Sequence, residues 1–286
     1  MDYSESAAPM IGKTRQPGAD PGPPRGVLKT RLDHGEFQHV RRAPSVALAE
    51  WIEHYWLVGW DLRGLPAQQQ ETLPHPNVQL VIEAGCTRIY GVHSGRFTRL
   101  LEGQGRVFGV KFRAGGFYPF LRAPVATLMD RSMGVTEVFG ASAASFESEV
   151  LACADMDGMT AVAEQLLSAH RPSADTQLAG IAALVADIAN DRSLTSVEQL
   201  TALSGLSKRA LQRLFRQYVG VGPKWVINRY RLHEAIAQLQ AGKPVLWADL
   251  ALELGYFDQA HFIRDFRQLV GRSPNDYAQA ERRSTS

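Results

Sequence analysis

Between Glu198 and Glu234 the chain runs 35 residues without an Asp or Glu, and the same stretch carries seven Lys or Arg. A run of one sign suits a polyanion, because each cation set against a phosphate releases a condensed counterion. Within it, Lys208, Arg209, Gln212, Arg213 and Arg216 fall on one side of a helical repeat and Leu211, Leu214, Phe215 and Tyr218 on the other. Guanidinium and amide groups give bidentate hydrogen bonds to guanine and adenine edges in the major groove, or hold phosphates. One such helix taken alone is equally well a solvated amphipathic face. A second helix with the same plan shifts that balance: Gln259, His261, Arg264 and Gln268 face out while Phe262, Phe266 and Leu269 face in.

Both stretches need an element to present them, and the text before each supplies one. Val197, Leu200 and Leu203 mark the apolar face of a short helix, Gly205 allows a tight turn, and Ser207 can cap the helix that follows. The second unit repeats this with Trp247, Leu250 and Ala251, then Gly255, then Asp258. Two helix-turn-helix units in tandem are a far more specific pattern than one. Helices are expected at about 174–190, 196–203, 207–218, 222–240, 245–254, 258–270 and 274–280. In the long one, Trp225, Val226, Leu232, Ile236 and Leu239 recur at helical spacing, so it can pack against both units.

The first half reads differently. Residues 77–83, 87–92, 97–101 and 106–112 alternate or are apolar as strands are, with glycines between them, and predict a small antiparallel meander. Residues 45–56 carry apolar positions at helical spacing and predict a helix; 123–169 predicts several short helices. The fold class is therefore an α+β N-terminal regulatory domain over 27–169 followed by an all-α domain of about seven helices over 174–281. The boundary falls at 170–175, where Asp175 can cap a helix; residues 1–26, with five prolines and four glycines, predict a flexible tail, and 282–286 a second one.

With 45% apolar and 21% charged residues the composition is that of a water-soluble globular chain, and no stretch has the roughly 18 apolar residues that a membrane helix needs. The tail lacks a signal-peptide core, so a cytoplasmic place is expected. Cys86 and Cys153 are too few for a disulfide scaffold or a Cys-rich zinc site. The net charge of +2 is bland, so the electrostatic signal is local.

Residues 200–215 (LTALSGLSKRALQRLF), 255–266 (GYFDQAHFIRDF) and 271–277 (GRSPNDY) resemble the signature of the AraC/XylS DNA-binding domain over about residues 175–281. The resemblance implies two small subdomains joined by the long helix, which holds two recognition helices in successive major grooves about 34 Å apart. It implies base contacts from Arg209, Gln212 and Arg213 in the first unit and from Gln259, His261 and Arg264 in the second, with Lys208, Arg216, Lys224 and Arg267 on phosphates. Ala260 stands where the family often has a hydroxyl residue and offers only a methyl contact; Ile263 cannot donate. The expected partner is a double-stranded operator, with RNA polymerase, a small effector and a second copy of the chain as further candidates.

The stretches around Trp56, 73–83 and 109–120 resemble a domain of unassigned role that precedes the DNA-binding domain in one branch of the family. No HxH motif of the cupin-like type is present. Tyr55, Trp56, His75, Arg113 and Tyr118 are candidates for an effector pocket, Arg113 as an anion partner, although aromatic residues also serve as core and an Arg can simply brace a loop. No cofactor is expected. Two enzymatic readings compete: methyl transfer, as in DNA-repair proteins with this helical domain, needs clustered cysteines, and those here lie 67 positions apart. A metalloenzyme using His34, His39, His54, His75 and His93 lacks any i, i+4 ligand pair.

Overall fold

The computed structural model describes residues 26–28, 34–241 and 246–285. Residues 1–25 of the expected tail and residue 245 lie outside the described residues. Strands β1 (Glu36–Arg42), β2 (Ile52–Leu62), β3 (Gln68–Thr72), β4 (Gln79–Ile82), β5 (Arg88–Tyr90), β6 (Phe97–Leu101), β7 (Gly103–Phe112) and β8 (Ser132–Met133) build the first half. They form an antiparallel six-stranded sheet in the order β1-β2-β7-β4-β5-β8 and a two-stranded sheet of β3 and β6.

Two expectations are corrected here. Residues 45–56 are not a helix but a turn that leads into β2, which pairs with β1 on one side and β7 on the other. Their apolar positions fit a period of two as well as one of 3.6, and the Ile, Tyr, Trp and Val content favours a pleated, half-buried surface. The strands from β4 onward are not a simple meander either, because β6 leaves to pair with β3 and β7 pairs with β2 and β4. The partners that decide this order, β1 to β3, lie before the stretch in which strands are legible.

One sheet face, with Tyr55, Leu80, Ile82, Phe108, Val110 and Phe112, is buried in the main core. It packs against α1 (Tyr118–Leu121), α2 (Val135–Phe139), α3 (Phe146–Ala152) and α4 (Met156–Ala169) through Phe120, Phe139, Phe146, Val150 and Leu167. The opposite face carries a smaller cluster around Trp60, Leu62, Val107 and Leu101, with Trp56 and Val58 beside it.

The helical half follows as expected: α5 (Thr176–Asn190), α6 (Val197–Ser204), α7 (Lys208–Leu214), α8 (Pro223–Gln240), α9 (Trp247–Glu253), α10 (Gln259–Val270) and α11 (Pro274–Thr285). Asp175 caps α5 by accepting from the Gln177 amide at 2.9 Å. α7 ends in a wider π turn over Phe215–Val219, and α11 runs on to Thr285 where a tail was expected after 281. The main core crosses from the sheet into α5–α8 through Leu178, Ile181, Leu200, Leu211, Phe215 and Val226. The second helical unit has its own core of Leu250, Phe262, Phe266, Val270 and Tyr277, which Leu28 and Leu73 from the first half complete.

On the neighbouring strands β2 and β7 sits a set of ionisable groups, His54 and Lys111 buried and Glu53 partly exposed. Glu53 accepts from Lys111 at 3.0 Å and from Asn77 at 3.2 Å, with His54 at 3.4 Å. Burial pushes the Glu53 carboxyl up, but Lys111, His54 and His75 outweigh it and hold the group well below the usual range. Burial lowers the His54 imidazole to about 4 against the partial opposition of Glu53. In the unfolded chain the same ring binds a proton near 6.5, so between those values the unfolded state holds more protons and stability falls as the pH falls. Denaturant unfolding between about pH 7 and 5, above the range where carboxylates titrate, should show this loss, and His54→Gln should flatten it. An unchanged slope in the variant would assign the loss elsewhere.

Candidate nucleic-acid interface

The first helix-turn-helix is α6 and α7. Ser196 accepts from the Gln199 amide at 3.2 Å, and the Gln199 side chain accepts from the Ser196 amide at 2.9 Å, a reciprocal cap that fixes the start of α6. Val197 and Leu200 are buried, but Leu203, expected on the same face, is 54% exposed. It lies in the last turn, where the chain bends away at Gly205 (φ +68°), and Leu206 takes the inner position instead. Ser207 caps α7 through the Ala210 amide at 3.2 Å. Leu211, Phe215 and Tyr218 are buried beneath it, and Lys208, Arg209, Gln212, Arg213 and Arg216 are exposed. Lys208 is drawn to Glu198 at 3.1 Å; among the described residues Arg209, Arg213 and Arg216 make no ion pair.

The second unit is α9 and α10. Leu250 and Ala251 are buried and Trp247 half-buried; the chain turns at Gly255 (φ +76°), and Asp258 caps α10 by accepting from the His261 amide at 2.7 Å. Phe262 and Phe266 face inward, and Gln259, Ala260, His261, Arg264, Arg267 and Gln268 are exposed. His261 is not wholly free to reach out, since its ring meets Tyr256 edge-on at 5.2 Å and lies 3.5 Å from Asp265. Ile263 is half-buried and packs on the core.

α8 joins the units. Val226, Leu232, Ile236 and Leu239 are buried along it, and Lys224 is exposed at its start. The acid-free run contributes less surface charge than its count suggests, because Arg229 and Arg231 are buried at 1% and 3% exposure. Arg231 donates to the carbonyls of Ile188 and Asp191, tying α8 to the end of α5. Arg229 donates to the carbonyls of Pro74 and Ser94 in the first half and stacks over Trp225 at 4.3 Å. Five cations of that run, Lys208, Arg209, Arg213, Arg216 and Lys224, remain on the surface.

The five effector candidates do not converge. Tyr55 is fully buried in the main core, stacked on Phe108, with its hydroxyl donating to Glu164 at 3.3 Å. Its neighbour Trp56 points to the other sheet face and donates to Gln79. Arg113 donates to the Ala49 carbonyl and braces the turn before β2. His75 and Tyr118 lie where the halves meet: His75 stacks on His233 of α8 with ring centres 4.0 Å apart, and Tyr118 lies 4.2 Å from Tyr218 and accepts from Gln217. Glu71 of β3 completes this contact by pairing with Arg96 and with Arg272, just before α11. Polar residues such as Glu71 within β3 and Arg229 within α8 carry no sequence mark of this role. Among the described residues no three His, Cys, Asp or Glu side chains are grouped so as to hold a metal ion.

A family model described as a helix-turn-helix domain matches residues 200–280, and one described as a domain of unknown function (DUF6597) matches residues 40–134. An uncharacterized HTH-type transcriptional regulator of Haemophilus influenzae is 32% identical over 95 residues, which cover 33% of this chain and 32% of that protein. Regulatory protein SoxS of Escherichia coli is 34% identical over 82 residues, covering 29% of this chain and 76% of SoxS. The chain thus spans about a third of the first relative's length and three quarters of the second's. A solved structure described as a probable AraC family transcriptional regulator from Rhodopseudomonas palustris is 30% identical, covering 34% of this chain and 93% of that one, with a TM-score of 0.31.

The cap that starts the second exposed helix can be tested without a ligand. Asp258→Ala removes the acceptor for the His261 amide and should lower stability by about 0.5–2 kcal/mol, while Asp258→Asn keeps most of it. Equal thermal unfolding of all three proteins would mean that the cap does not hold α10.

Proposed function

Because the chain belongs to the AraC/XylS family of transcription regulators, we propose that it is a sequence-specific regulator that reads operator DNA with α7 and α10 in successive major grooves. The observation that carries this reading is the pairing of two capped helices, each buried on one face and exposed on a cationic, amide-rich other, on the single helix α8. Arg209, Gln212 and Arg213 read bases from α7, and Gln259, His261 and Arg264 from α10. Lys208, Arg216, Lys224 and Arg267 hold phosphates, Lys208 by exchanging Glu198 for the backbone. The chain acts by binding and not by catalysis, in the cytoplasm, with RNA polymerase and a second copy of itself as partners.

The first half, divided from the reading half at residues 170–175, regulates it in response to a small effector or to self-association. The physical route is the surface at which His75, Tyr118, Glu71 and the carbonyls of Pro74 and Ser94 meet α7–α11, so that a change in the first half is felt by both units.

Selection of genomic fragments by the full-length protein should enrich a bipartite site, with affinity falling steeply as salt rises. Failure to enrich any sequence would sink the reading. On the selected site Arg213→Ala should lose about 1–3 kcal/mol and relax preference at one base position; equal weakening on all sequences would make Arg213 a phosphate contact. Inserting about five base pairs between the half-sites turns the second groove to the opposite face of the duplex, so affinity should drop to that of one unit. Equal affinity for natural and expanded sites would leave α7 as the sole reader.

A further inference from the structure

Phe257 is 89% exposed, the most of any large apolar residue among those described. It stands immediately before the cap of α10, where an apolar side chain ordinarily packs back on the fourth residue of the helix as a hydrophobic staple. That fourth residue is Phe262, and its ring is already met by Tyr256 at 5.4 Å. Phe257 therefore has no structural task at the place it occupies. Both flanks are tied down, the Tyr256 amide by donating to the Ala251 carbonyl at 2.9 Å and Asp258 by its cap, and the ring between them is left outside.

The ring is thus held in solvent at the N-terminal tip of α10, beside the exposed Gln259 and Ala260, with Arg264 and Arg267 further along the same helix. In helix-turn-helix proteins this end of the recognition helix meets the base edges. A phenyl ring has neither donor nor acceptor, and the one apolar feature on the major-groove edge of a base pair is the C5 methyl of thymine. The cations on the helix and the polyanion they suit point to DNA as what covers the ring.

Resting on the DNA-binding reading above, we propose that Phe257 is a specificity-determining residue that packs on the methyl group of a thymine in the half-site read by α10. Ala260 adds a second apolar contact, and Gln259 suits the adenine of a neighbouring pair. The second unit then adds methyl contacts to the reading by Gln259, His261 and Arg264, where the first unit selects by guanidinium and amide hydrogen bonds.

The test uses full-length protein and a random duplex library, followed by titration of one enriched duplex and of its counterpart with deoxyuridine in place of the thymine. Wild type should enrich thymine at one fixed position of the α10 half-site and bind the deoxyuridine duplex about fourfold more weakly, the effect of one buried methyl group. Phe257→Ala, whose thermal unfolding should match wild type because the site is exposed, should bind both duplexes equally and still enrich the α7 half-site. Equal binding of both duplexes by wild type, or undiminished thymine sensitivity in Phe257→Ala, overturns the proposal. So does an unchanged affinity of Phe257→Ala for both duplexes, since the ring would then make no contact with the DNA. If neither protein enriches any sequence, the DNA-binding reading itself fails and the thymine assignment falls with it.

Discussion

The Arg229 guanidinium on α8 is buried, forms no ion pair among the described residues, and is held by the carbonyls of Pro74 and Ser94 and by the face of Trp225. Burial lowers its pKa to about 10, against weak support from Asp130, and the group stays charged at neutral pH. Removing a cation from water costs several kcal/mol, and only satisfied hydrogen bonds and a stacked ring offset that. The carbonyls come from two loops of the β-rich half, one before β4 and one before β6. Those loops and the long helix must therefore stay in register, and the arrangement of both helix-turn-helix units relative to the sheets depends on it.

Around that contact the joint is polar in some places and apolar in others. Leu28 and Leu73 enter the core of the second unit, and the main core continues from the sheet into the first. Glu71 sits between Arg96 and Arg272, Arg96 also donates to the Val270 carbonyl, and Arg272 lies over the Tyr277 ring. A shared core together with these ion pairs resists sliding, since the largely buried Glu71 carboxylate would lose its partners. Both units are therefore coupled to the same β-rich body, which is a physical basis for regulation that does not require an effector to touch DNA-binding residues.

The electrostatic surface is shaped by the same constraint. Two of the seven cations in the acid-free run serve the interior, Arg229 toward the sheets and Arg231 toward α5. The charge of that run that remains outside is concentrated on α7 and the turn that ends it, whereas α10 presents Arg264 and Arg267 among amides and a histidine beside Asp265, with the exposed Phe257 just before its start. The two recognition faces are thus chemically unlike although their caps and turns are alike.

The helical half was largely legible in the chain because its signals are local: Ser207 and Asp258 as caps, Gly205 and Gly255 as turns, and inward Phe, Leu and Val at helical spacing all act within a few residues. The outward placement of Arg209, Gln212, Arg213, Gln259 and Arg264 follows from the same periodicity. The β-rich half was less legible. Residues 45–56 satisfy two periods at once, and only pairing with β1 and β7, strands far apart in the chain, selects the extended form. The dispersal of Tyr55, Trp56, Arg113 and Tyr118 likewise follows from strand alternation and long-range packing. By itself the sequence determined which segments of the second half are helices, where they are capped and which faces they offer, since those depend on neighbours within a turn or two. Tertiary structure alone decided strand order, the burial of Arg229 and Arg231, and the contact between the halves, because each rests on groups brought together from distant parts of the chain.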